Sequence, residues 1–112
     1  MNKEQALNVL KNTFVDFEML GDITVKLTFS FYLLKRLESK YPELAERYFD
    51  IQRKKKEEAT NEDTITAFYT AYVCANMDDP DLMDEEAFFI LFPSDIKYIT
   101  QVAGKLMGGK KN

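Results

Sequence analysis

The run Thr13-Phe14-Val15-Asp16-Phe17-Glu18-Met19-Leu20-Gly21-Asp22-Ile23-Thr24-Val25-Lys26-Leu27-Thr28-Phe29 holds two alternating segments on either side of a Gly-Asp pair. In the first, Phe14, Asp16 and Glu18 interleave with Val15, Phe17 and Met19. In the second, Ile23, Val25, Leu27 and Phe29 share one side, and Thr24, Lys26 and Thr28 share the other. Alternation with period two, rich in β-branched residues and broken by a glycine turn, predicts a β-hairpin over 13–29. Two strands alone are marginal in water, so the hairpin must pack its apolar face on helices.

The flanking sequence has helical periodicity. Before the hairpin, Ala6, Leu7 and Leu10 predict a short helix within residues 1–12. After it, Ser30 is placed to cap a helix through Tyr41 with Leu33, Leu34, Leu37 and Tyr41 inward. Pro42 ends that helix and suits the first turn of the next. The next helix, over 43–57, carries Leu44, Ala45, Tyr48, Phe49 and Ile51 as its stripe, with Arg53-Lys54-Lys55-Lys56 at its C-terminal end, where the macrodipole favours cations. Thr60-Asn61-Glu62-Asp63 is a helix start, followed by Ile65, Phe68, Tyr69, Tyr72 and Val73 on one face. Asn76–Asp81 is a loop. Asp84 caps a helix over 85–92, Pro93 breaks it, and Ser94 caps a last helix burying Ile96, Ile99, Val102, Ala103 and Leu106. The expectation is a mainly helical α+β domain over 1–112. It has about five helices, one hairpin, a helical region over 30–107 and a flexible tail over 108–112.

Composition narrows the function. The chain has 112 residues, 46% hydrophobic and 13% aromatic, enough for a core without staples. The single Cys74 has no partner for an internal disulfide, which fits a reducing compartment. No apolar run approaches the ~18 residues of a membrane span, and Met1–Asn12 is too polar for a secretory signal. A cytoplasmic protein is expected. Net charge is −4, and no basic residue lies between Lys56 and Lys97. Nucleic-acid binding needs a basic face, and the one basic run is followed at once by Glu57 and Glu58.

No catalytic, cofactor or metal residues are identified. Histidine is absent, removing the commonest general base. Cys74 has apolar helical neighbours and is read as a small hydrophobe rather than a nucleophile. The acids Asp78, Asp79, Asp81, Asp84, Glu85 and Glu86 invite a calcium-loop reading. Counted from Asp78, however, Pro80 and Met83 stand where the motif needs a ligand and a glycine. These acids are read instead as a decorated helix start. Ala87-Phe88-Phe89-Ile90-Leu91-Phe92 covers nearly every azimuth of a helix, so that helix is either central or docks one side on another chain.

Several stretches of the chain share the layout of a known family. An aromatic-rich helix runs into Asp79-Pro80-Asp81-Leu82-Met83, then Asp84-Glu85-Glu86-Ala87-Phe88, then Phe92-Pro93-Ser94-Asp95-Ile96 and a terminal apolar helix. Upstream, Val25-Lys26-Leu27-Thr28-Phe29-Ser30-Phe31 leads into Leu33-Leu34-Lys35-Arg36-Leu37-Glu38. Over roughly residues 14–107 this resembles the tail assembly chaperones of long-tailed phages and their prophages; the helix before residue 13 is a departure. The resemblance implies a non-enzymatic protein that holds the tape measure protein soluble in the host cytoplasm and is absent from the mature virion. It further implies the tail tube protein as a second partner, and self-association. The contact residues expected are Met83, Phe88, Phe89 and Phe92, with Asp79, Asp81, Glu85 and Glu86 as a charged rim. The alternative reading is a small acidic inhibitor whose carboxylates mimic nucleic acid to block a host enzyme. A small enzyme would have only carboxylates as its general base.

Overall fold

A computed structural model describes residues 1–107. The tail expected at 108–112 lies outside the described residues. The hairpin forms as the alternation predicts. Strand β1 (Val15–Met19) pairs antiparallel with β2 (Ile23–Leu27), in the register Val15 with Leu27, Phe17 with Val25 and Met19 with Ile23. That register puts the apolar residues on one face and Asp16, Glu18, Thr24 and Lys26 on the other, where Lys26 reaches Asp16 at 2.5 Å. The connection turns through Gly21 and Asp22, both at positive φ (76° and 57°). Glycine adopts this conformation freely, and aspartate tolerates it better than most residues.

Among the described residues six α-helices surround the hairpin where about five were expected: α1 (Lys3–Lys11), α2 (Phe31–Lys40), α3 (Pro42–Arg53), α4 (Asn61–Asn76), α5 (Glu85–Ile90) and α6 (Ile96–Met107). Several starts are set by the predicted caps. Ser30 Oγ accepts from Leu33 N, Asp84 Oδ1 accepts from Ala87 N, and Thr60 and Asp63 form a reciprocal capping box. The cap of α6 is Asp95, whose Oδ1 accepts from Tyr98 N, rather than the expected Ser94. Helix α3 stops at Arg53, short of the expected residue 57, because Lys54 is extended (ψ 148°). Lys54 Nζ instead donates to Asp63 Oδ2 at 2.8 Å and ties the end of α3 to the start of α4.

Helix α4 is the centre of the molecule. Every residue from Phe68 to Cys74 is buried, because the helix packs against β2, α2, α3 and α5. Its connection to the hairpin is partly main-chain: Thr28 N donates to Ala71 O, and Asn76 Nδ2 donates to Lys26 O at 3.0 Å. On the opposite edge α6 packs against β1, and Tyr98 Oη accepts from Glu18 N at 2.8 Å. Helix α1 buries no residue. Leu7 and Leu10 are half-buried, and Ala6, expected on the same face, is exposed.

Phe17 is fully buried, and its ring meets those of Phe68 on α4, Phe88 on α5, Phe92 beyond α5 and Tyr98 on α6, with centroids 5.1 to 6.4 Å apart. Phe17→Ala is expected to cost about 3–5 kcal/mol, and Tyr98→Phe, which loses one hydrogen bond to the strand, about 1 kcal/mol. Urea denaturation of both variants at constant m checks the ranking.

Candidate functional site

The site is built around α5. This helix has one fully buried residue, Phe88, packed among the rings of Phe17, Tyr69, Tyr72 and Phe92. Both approaches to α5 are pinned. Met83 N donates to Tyr72 Oη at 2.8 Å, and Tyr69 Oη donates to Met83 O at 2.9 Å. Burial pushes the Tyr69 hydroxyl up to about 12. Beyond the helix, Leu20 N donates to Leu91 O at 3.0 Å, setting the hairpin turn beside its C-terminal end.

Successive helical residues are about 100° apart, so anchoring Phe88 inward forces its neighbours outward. Phe89 is 55% exposed and Ile90 67% exposed. Beyond Pro93, Ile96 in the first turn of α6 is 77% exposed. Two open grooves lie on this side. One, of about 450 Å³, is walled by Arg47, Glu62, Ile65, Glu85, Glu86 and Phe89. The other, of about 530 Å³, is walled by Ile65, Phe92, Pro93, Ile96, Ile99 and Ala103. Ile65 belongs to both, so the two grooves adjoin there and together make up a channel between the start of α4 and the segment from α5 to α6.

Of the residues expected to contact a partner, Phe89, Phe92, Glu85 and Glu86 line this channel. Phe88 is corrected: it is fully buried and is a core residue, because it occupies the one azimuth of α5 that faces Phe17. Met83 is half-buried and does not line the channel. Asp79 and Asp81 lie on the preceding loop, where Asp79 Oδ1 accepts from Asp81 N at 2.8 Å and closes a local turn. Glu85 is held by Arg47 through two contacts, at 2.9 and 2.5 Å, a fork that raises the guanidinium pKa further.

Ile65, Ile96, Ile99 and Glu62 were not expected in the site. The first three were assigned to core stripes. The signal for Ile96 is its azimuth: it lies about 120° from Val102, the one buried residue of α6. Cys74 is buried, and burial alone pushes its thiol up to about 12, so no thiolate nucleophile is held ready. Among the described residues no group of three or more His, Cys, Asp or Glu side chains is placed to hold a metal ion, and no helix is long and apolar enough to cross a membrane.

The chain is thus a mainly helical α+β domain with an open apolar channel on one side. No family model matches it, and no curated protein or solved structure matches it either.

Phe88→Ala should destabilise the protein by about 3–5 kcal/mol, and Phe89→Ala by no more than about 0.5 kcal/mol, although the two residues are adjacent. Thermal melts of the pair measure the difference; equal losses would return Phe89 to the core. Cys74 should react with a thiol reagent at pH 8 only when the fold opens, so labelling in native buffer is slow and rises to the free-thiol rate in urea.

Proposed function

We propose that this protein is a non-enzymatic tail assembly chaperone of a long-tailed phage or prophage, binding the tape measure protein and keeping it soluble during tail assembly. The observation that carries the reading is the exposure of Phe89 and Ile96 in the walls of an open channel. A lone exposed apolar residue is ordinary, but two large ones walling neighbouring grooves are the pattern of a protein-docking surface. The order of elements, an aromatic-rich helix, an acidic loop, a short apolar helix, a proline break and a terminal helix, supports the same family. A long, largely helical client offers apolar stripes that such a channel can cover. The tail tube protein and further copies of this chain are secondary partners under this reading, the host cytoplasm is the place of action, and the mature virion lacks the protein.

The acidic-inhibitor reading is weaker. Presenting carboxylates as phosphate mimics requires them free, yet several acids of the stretch 57–95 have internal partners. Asp63 is held by Lys54, Asp78 by Arg36 and Glu85 by Arg47. The first two carboxyls are held below their usual range by those hydrogen bonds, and Asp84 is occupied as the cap of α5.

Co-expression with the long helical protein encoded downstream in the same operon tests the proposal. The client should become soluble and co-purify, and Phe89→Asp should weaken the complex at least tenfold, about 1.4 kcal/mol, without lowering the melting temperature. A client that stays insoluble beside the folded wild-type protein defeats the proposal.

A further inference from the structure

The channel has a charge as well as a shape. Its apolar floor runs from Phe89 through Ile65 to Ile99, and its charged wall residues are Arg47, Glu62, Glu85 and Glu86. Arg47 and Glu85 satisfy each other. Glu62 and Glu86 are exposed and join no ion pair among the described residues. They stand in the first turns of α4 and α5, so an uncompensated carboxylate from each of two helices borders the Ile65–Phe89 part of the channel. A first-turn acid has a local reason, since it complements the helix dipole. That reason does not require two such helix starts to flank one apolar opening. A segment lying there gains from burying an apolar stripe and from presenting cations to the rim, while acids beside its stripe are repelled.

We infer that the channel selects an amphipathic helix whose apolar stripe is flanked by lysine or arginine. The inference rests on the proposed docking role of the channel and adds the chemistry of the occupant. Phe89 and Ile96 mark the two parts of the channel, and they are met by apolar residues of the bound helix spaced i, i+3 or i+4, and i+7. The apolar contacts supply affinity; Glu62 and Glu86 supply discrimination, by about tenfold at low salt, the scale of two solvent-exposed ion pairs. This preference disappears at ~1 M salt, where the Debye length is about 3 Å.

The probe is a pair of labelled peptides of about 18 residues, long enough to be helical when bound. Both carry leucine at i, i+3, i+4 and i+7; one has lysine beside the stripe and the other glutamate. Binding to the full chain is read by fluorescence anisotropy. The lysine peptide should bind about tenfold more tightly than the glutamate peptide. In the double variant Glu62→Gln/Glu86→Gln the two affinities should converge, mainly by loss for the lysine peptide. In Glu38→Gln/Glu46→Gln, which removes the same charge from α2 and α3, the preference should persist, excluding mere attraction to an acidic protein. Equal binding of the two peptides to the wild type overturns the inference, as does a preference that survives the Glu62/Glu86 double variant. If both peptides bind equally and Phe89→Ala weakens both, the charge rule falls while the channel remains a docking site. If neither peptide binds, the inference falls, and the co-expression result decides the chaperone reading separately.

Discussion

One ring, that of Phe17, is the constraint on which the other elements converge. A two-stranded hairpin has too little buried surface to persist by itself. Here its central residue is enclosed by rings delivered from α4, α5, the turn after α5 and α6. Phe68 and Phe92 also meet each other, as do Phe88 and Phe92, so the contacts form a closed set of rings rather than a chain of pairs. The offset and edge-on geometries in that set are those the ring quadrupole favours. The position of α5, and with it the exposed channel, follows from this enclosure. Phe88 has to reach Phe17, and the faces of α5 not used in doing so are left to solvent.

Much of the secondary structure was legible because local chemistry decides it. The alternation around Gly21-Asp22, the caps at Ser30, Thr60 and Asp84, and the stop at Pro42 are all short-range signals, and all appear where the residues place them. The boundary after Arg53 was not legible. Whether the helix continues through Lys54 depends on whether that lysine has a better partner elsewhere, and Asp63 on the next helix is that partner. The α6 cap was misassigned by one residue because Ser94 and Asp95 are both competent and adjacent.

The site was half legible for a related reason. Hydrophobic counting identified 87–92 as having more apolar surface than one face of a helix, but gave no azimuth. Phe88 and Phe89 are chemically identical neighbours, and only the location of Phe17 tells which of them turns inward. The residue expected at the surface and found in the core is therefore the one with the long-range contact. In the same way, Ile65 and Ile96 fit an apolar stripe by spacing alone, yet Ile65 is only partly buried at the edge of the core and Ile96 is left exposed in the first turn of α6. By contrast, α4, which reads as one-faced, is covered on every side between Phe68 and Cys74 because four elements converge on it.

The helices also govern how another polypeptide can approach the hairpin. Strand addition needs an uninterrupted row of free main-chain donors and acceptors along a sheet edge. On one margin Tyr98 occupies the Glu18 amide; on the other Asn76 occupies the Lys26 carbonyl, and the Thr28 amide is spent on α4. An extended chain arriving at either margin would have to displace a helix-borne hydrogen bond before forming its own. Main-chain pairing is thereby disfavoured as a mode of association. A contact made through side chains on helical faces would carry no such cost and would leave the sheet as it is.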